Sequence, residues 1–483
     1  MEPEPATAPA GAPPHGDELA PELLDEIWAT HEDLSPLSCR FLEYVHEQPA
    51  AMRAVDHRVA ASLPDWARRY PYPLQPWPTF VDARKVRQIE RATVGLTELV
   101  KSIPERLFGG DAGRISEFYG LQDELLTTLL LSPPNAIATS LARCDFVDDG
   151  SDWKCLELNF GANIGGWQER FFEQVCRSQP STAAFLAREG ARPRHRDPWR
   201  AVLSLVAREA RRIGCATAGR LNVAVVVNPD QAHFVGVVAA MNELFQEVLR
   251  ESGAHRAGEV VICTYPDGLA ARGGTLFHRD LPIGAVLEST EVLTPRDVFR
   301  CFKAGKVALF NGPVSGMLGD KRNLALLSRH EESDLFTAAE RSVIRSHVPW
   351  SRAVADERTT YRGEAVRLLD FAAARRESLV LKPVGGAQGR EVHLGRCTAP
   401  ETWRRLLAAA AGTGEMLLQE YVASRPYLYQ RGDQGCTPHQ VIWGTFSFGA
   451  AYGGGFLRML PLDRGPGVIN SARGATEGLI FEV

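Results

Sequence analysis

The chain has 483 residues, 45% of them hydrophobic and 23% charged, with a formal net charge of −5. That length holds two or three domains with real cores, and the mild acidity speaks against nucleic-acid or anionic-membrane partners while leaving room for a local basic pocket. Nine scattered cysteines without a C-x-x-C motif indicate neither a zinc knuckle nor a disulfide framework, and a reducing cytoplasm is the simplest setting.

Residues 1–16, rich in Pro and Ala, lack the basic and apolar regions of a signal peptide and are expected to form a disordered tail. No apolar run approaches the length of a membrane span. From about 17 to 116 the pattern is helical, interrupted by a Pro- and Trp-rich segment at 70–80. The apolar positions of A-T-V-G-L-T-E-L-V-K-S-I, around 92–103, recur at helical spacing. Pro133 and Pro134 break the next helix.

The stretch R-C-D-F-V-D-D-G-S-D-W-K-C-L-E-L-N, 143–159, reads as a β-hairpin whose turn is Asp148, Asp149, Gly150, Ser151 and Asp152. Side chains two apart on a strand share a face, so Glu157 and Asn159 project together. Pairing of odd positions with odd ones brings Arg143 and Asp145 onto the same face. Two carboxylates and an amide oxygen suit Mg²⁺, and a guanidinium beside them suits a phosphate. A solvated acidic hairpin satisfies the same pattern. A glycine-rich turn, G-A-N-I-G-G-W, and two helices to about Gly214 follow.

L-N-V-A-V-V-V from 221 and E-V-V-I-C-T-Y from 259 read as buried parallel strands, with a helix starting at Asn228-Pro229-Asp230 between them: a βαβ unit. G-T-L-F-H and P-I-G-A-V-L-E-S then form a hairpin around Arg279-Asp280. K-V-A-L-F-N at 306–311 is a further strand, and Lys321 sits near the following helix start. L-V-L-K-P-V-G-G-A-Q-G-R-E ends a strand on Lys382 and opens a loop with Gly385, Gly386, Gln388 and Gly389. Glycines there let backbone N–H groups close over a polyphosphate; an ordinary flexible hairpin is the alternative. The strand end Gln419, Glu420, Tyr421, Val422 suits reading of an adenine by backbone groups, with Glu420 accepting from a ribose hydroxyl, or is plain core strand. Arg458, on a late strand, suits bidentate clamping of a substrate carboxylate or is a structural arginine, and Asn470 precedes a small-residue loop.

These motifs, in this order, resemble the circularly permuted ATP-grasp superfamily over about 140–483, nearest the glutathionylspermidine synthetase family and more distantly eukaryotic-type glutathione synthetases. The resemblance implies an α/β (α+β) ATP-grasp fold: a helical region at 17–217 carrying the metal hairpin, a small doubly wound pre-ATP-grasp domain at 218–300, and a nucleotide-binding region at 301–483. It implies ATP and Mg²⁺ as cofactors, with Asp145, Glu157 and Asn159 as metal ligands. Arg143 and Arg458 would act on the reacting groups, and Lys321, Lys382, the Gly385–Gly389 loop, 419–422 and Asn470 would hold the nucleotide. The activity implied is an ADP-forming carboxylate–amine ligase acting on small amino-acid-like substrates. A phosphotransferase without an amine acceptor and a non-catalytic ATP-binding module are the alternatives. The partners are small molecules; neither nucleic acid nor membrane is expected, and a homodimer is left open.

Overall fold

Three larger sheets and two small ones, among the described residues, organise this mixed α/β chain, seen in a computed structural model. It describes residues 19–483 except 49–56, 58–59, 62, 122, 216–218, 229–234, 254–256, 266–267, 290–293, 386–390, 432–434 and 466. The tail at 1–16, the loop residues Gly386, Gln388 and Gly389, and the helix start at Pro229-Asp230 therefore lie outside the described residues.

The central sheet has seven strands. Its main path runs Thr79–Val81, Thr476–Glu482, Ala451–Pro461, Cys436–Phe448, Leu141–Asp148 and Trp153–Phe160, and Tyr427–Gln430 pairs with Cys436–Phe448. One face is covered by the helix Ala83–Arg106, whose buried residues Ala92, Thr93, Leu96, Thr97, Leu99, Val100 and Ile103 recur at helical spacing. Thr93 Oγ1 meets Thr445 Oγ1 of the sheet at 2.7 Å, so the helix is keyed to it by a polar contact as well as by packing. The opposite face is the one that gathers charged side chains.

A second, four-stranded sheet is wholly parallel in the order Ala308–Phe310, Ala285–Glu288, Arg220–Val227, Ala257–Thr264. The continuous burial of Leu221 to Val227 is what a strand covered on both faces requires. The third sheet, Ser351–Ala353, Met416–Glu420, Leu379–Pro383, His393–Leu394, is antiparallel and carries Lys382.

Two local expectations change. The region after the hairpin holds three helices, Glu169–Ser178, Pro180–Glu189 and Pro198–Ile213, because Gln179 is extended and Pro180 opens a new helix at its first position. The segment 281–288 is not one strand of a hairpin. Leu281–Ile283 pairs back on Thr275–His278, whereas Ala285–Glu288 joins the parallel sheet. The switch falls at Gly284, where a Cβ would stand 2.9 Å from the Cys215 carbonyl oxygen. No helix among the described residues is long and apolar enough to cross a membrane.

Candidate functional site

The hairpin Leu141–Asp148/Trp153–Phe160 pairs Arg143 with Asn159 and Asp145 with Glu157, so all four side chains share one face. The row continues across the sheet. Gly444 stands opposite Asp145, Phe456 opposite Gly444, and Arg458, two residues on, opposite Glu477. Gly444 is needed there, since a Cβ would come within 2.9 Å of the Phe456 ring and 3.2 Å of Arg143 Cδ.

Past Asp145 the register slips: Phe146 pairs with Cys155, leaving Leu156 as the extra residue of a β-bulge. Its freed carbonyl accepts from Lys382 Nζ at 2.6 Å, and Lys382 also donates to Gln419 Oε1 at 2.9 Å. Lys321, from the start of the helix Arg322–Arg329, lies 3.1 Å from Glu157 Oε1, and its backbone N–H donates to the Val384 carbonyl. Lysines 61 positions apart by their numbering thus meet on one hairpin.

Asp145 is buried and flanked by two guanidiniums. Arg143 Nε donates to Oδ1 at 2.8 Å and Nη2 to Oδ2 at 3.1 Å; Arg458 Nη2 lies 2.6 Å from Oδ1. Burial pushes the Asp145 carboxyl up, but the charges of Arg143 and Arg458 outweigh it and hold the group at about 2. The Arg458 contact is an ion pair outside hydrogen-bond angles, for neither its Nε nor its Nη2 has a hydrogen-bond partner, although the residue is only 5% exposed. Arg143 also donates to the Ile164 carbonyl, presented by the glycine-rich turn. That turn needs Gly165 and Gly166 at φ +81° and +89°.

Lys382 is 6% exposed. Burial lowers its ammonium and the neighbouring charge of Lys321 lowers it further; Glu157 opposes both, and the balance lies at about 8.

The expected residues are therefore not equally placed. Arg143, Asp145, Glu157, Asn159, Lys321, Lys382, Gln419 and Arg458 come together. Both oxygens of Asp145 are engaged, Oδ2 also by Asn159 Nδ2 at 3.3 Å, whereas Glu157 and Asn159 are partly exposed. Glu157 and Asn159 are oxygen donors of the kind Mg²⁺ takes, but Glu157 Oε1 lies 3.1 Å from Lys321 Nζ and Asp145 is held by two arginines, so both carboxylates would have to exchange a cationic side chain for the metal. Glu420 turns aside, accepting from Tyr361 Oη at 3.0 Å and from Arg362 at 3.2 Å. The strand end is less open than its sequence implies, because the Glu420 N–H donates to the Trp350 carbonyl and the Tyr421 N–H to the Ser378 carbonyl. Val422 lies just beyond and is partly exposed. Gly385 is exposed, with no atom within 4 Å of where a Cβ would stand. Asn470 caps a short 3₁₀ turn through its side chain, accepting from the Ala472 N–H.

Sequence reasoning missed the far end of this face. There Glu477, 5% exposed, accepts from Tyr70 Oη at 2.6 Å, Ser471 Oγ at 2.6 Å and Gln168 Nε2 at 3.1 Å. The alternation of T-E-G-L-I-F-E was the one available signal, and it does not say that a buried glutamate faces an arginine across the strands.

No family model matches the sequence, and no curated protein matches it. Among solved structures, the chain resembles a glutathione synthetase-like effector from Globodera pallida, in its apo form. The TM-score is 0.53 over 96% of this chain and 98% of that one, at 13% identity. At that identity the likeness is one of fold.

Proposed function

We propose that the protein is an ATP-dependent carboxylate–amine ligase of the circularly permuted ATP-grasp type, acting on small amino-acid-like substrates. One observation carries the reading: Lys321, Arg143 and Arg458 pair with the two carboxylates of a single hairpin, and Lys382, from a fourth segment, donates to the Leu156 carbonyl of the same hairpin. Cations so gathered fit a polyphosphate. The fold-level likeness to a glutathione synthetase-like protein supports the same class.

In this reading a substrate carboxylate attacks the γ-phosphorus of ATP, giving an acyl phosphate and ADP, and an amine then displaces inorganic phosphate to form the amide. Such chemistry asks the protein mainly to position groups and offset charge. Lys382 and Lys321 would neutralise phosphate oxygens as point charges. Glu157 and Asn159, with Asp145 behind them, would hold magnesium, which supplies charge neutralisation on the phosphates. Arg458 suits the substrate carboxylate, because its buried Nε is a donor still without a partner. Arg143 is held in place by Asp145 and the Ile164 carbonyl, so its guanidinium is oriented before substrate arrives.

The test is ADP release from ATP and Mg²⁺ over pooled amino acids and polyamines. Turnover that requires both an acid and an amine, and that is lost in Lys382→Met, supports the ligase. Failure to bind ATP at all removes it.

A further inference from the structure

The charged face ends in a cavity between the strand Thr476–Glu482 and the helix Glu169–Ser178. Gln75, Gln168, Glu169, Phe456 and Glu477 are among the residues lining it. It admits roughly one water-sized group, about 10 Å³ measured at that group's centre.

The unpartnered side-chain atoms of its lining are oxygens, and outside the lining the His195 ring nitrogen stands beside them. Gln168 Nε2 donates to Glu477 and Gln75 Nε2 donates to the Gln430 carbonyl at 2.8 Å, which fixes both amides and leaves each Oε1 buried without a partner. Both oxygens of Glu169, a residue 1% exposed, are likewise unpartnered. His195 places Nδ1 3.1 Å from the Ile480 carbonyl. A carbonyl only accepts, so the neutral ring carries its proton there and Nε2 is a further acceptor. That Nε2 is 3.6 Å from Glu169 Oε2, too far for a hydrogen bond. While Glu169 keeps its proton its O–H is the one donor among these groups; once that proton leaves, the set is acceptor-only and calls for a ligand that only donates. Water donates two hydrogens and presents two lone pairs, whereas an ammonium group donates alone and brings the charge that a buried carboxylate needs.

We propose that this cavity receives the ammonium group of an amino-acid-like substrate whose carboxylate lies toward Arg458. The inference rests on the ligase reading for the substrate's second end. Glu477 stands directly across the strands from Arg458. Phe456 both lines the cavity and lies beneath the guanidiniums of Arg143 and Arg458, 5.8 and 5.6 Å from its ring. Adjacent opposite charges of this kind match a zwitterion.

Burial, together with Asp197 and Glu477, holds the Glu169 carboxyl well above its usual range. The other ionisable groups around it are His195, Tyr70 and Tyr452. Entry of a cation therefore drives a proton off Glu169.

Calorimetric titration of the nucleotide-free protein with ammonium chloride tests this, at constant ionic strength and in two buffers of different ionisation enthalpy. Sodium, potassium and tetramethylammonium chlorides serve as comparisons. Saturable ammonium uptake with proton release, at least tenfold weaker in Glu169→Gln and absent for tetramethylammonium, supports the subsite. The proton release is read on the unaltered chain and requires no variant to fold. Equal uptake of sodium or potassium overturns it, as does ammonium uptake unchanged in folded Glu169→Gln. Uptake without proton release also overturns it, because Glu169 would then already be ionised before the cation enters. ATP binding is measured separately. Ammonium uptake without ATP binding removes the ligase reading alone, and ATP binding without ammonium uptake removes the subsite alone.

Discussion

Lys382 gives the nucleotide reading its most exposed flank, because its ammonium is buried and weakly held in the charged form. Its midpoint near 8 lies below that of free lysine, so the folded protein loses this proton across the pH range of ordinary assays. A phosphate favours the charged form and raises the midpoint again, so affinity is highest below pH 8 and falls above it. The protonated fraction is about 90% at pH 7 and about 10% at pH 9, which makes ATP affinity fall roughly tenfold between them. Above pH 7.5 the nucleotide's own phosphates no longer titrate, so the slope belongs to the protein. Lys382→Met removes the slope, and at pH 7 it also removes a charge-assisted hydrogen bond of about 1.5–3 kcal/mol. That corresponds to roughly ten- to hundred-fold in affinity. Lys321→Met weakens binding comparably, whereas a change at the exposed Lys306 does not. Calorimetry with ATP and Mg²⁺ at pH 7, 8 and 9, on variants whose fold is checked by circular dichroism, measures all of this. A flat profile in the wild type together with unchanged affinity in Lys382→Met refutes the assignment.

Three further outcomes follow from the same geometry. Glu157→Gln, at a partly exposed position, keeps the fold and abolishes ADP formation; a rate within a few-fold of wild type ends the metal reading. Asp145→Asn leaves the buried Arg458 guanidinium and the partly buried Arg143 without their counter-charge and costs about 3–5 kcal/mol in chemical denaturation. Because the Asp145 carboxyl is held down at about 2, its stabilisation is complete above the ordinary carboxylate range and is lost as pH falls through 2, so acid unfolding of the Asn variant lacks that component. Hydroxylamine, supplied with ATP, Mg²⁺ and the acid but no amine, traps a hydroxamate if an acyl phosphate forms; a stable phosphorylated product instead identifies a phosphotransferase.

What the sequence made legible was local. The aspartate- and glycine-rich turn at 148–152 fixed the hairpin, and period-two alternation then placed Arg143, Asp145, Glu157 and Asn159 on one face, as the register has them. The bulge at Leu156 was invisible, since it arises from the mismatch of two otherwise regular strands, yet it frees the carbonyl that Lys382 takes. Gln179-Pro180 could have divided the helices after the hairpin, because proline at a first helical position is a start signal. The partners of the carboxylates were beyond reach: nothing near Asp145 in sequence announces Arg458, and nothing near Glu157 announces Lys321. Glu169 was the hardest to see, because on a helix reading E-R-F-F-E-Q a first-turn glutamate is ordinarily a solvated one, and only the fold buries it in a cavity that Phe456 and Leu479 also line.

Composition and site also pull in opposite directions, and the difference explains what each is able to say. A chain of net charge −5 repels extended polyanions as a whole. Yet four cationic side chains stand around Asp145 and Glu157, where burial draws one lysine down to about 8 and two arginines hold one buried carboxyl at about 2. Screening that weakens surface charges acts far less on such a cluster, so the local field governs what binds there. In the ligase reading the cationic cluster would take a compact anion, and the cavity at the other end of the same sheet face would take the opposite charge. A ligase that joins a phosphate-activated acid to an amine needs both kinds of ground within one substrate's length, and on this sheet Arg458 and Glu477 are their nearest representatives, one cross-strand pair apart.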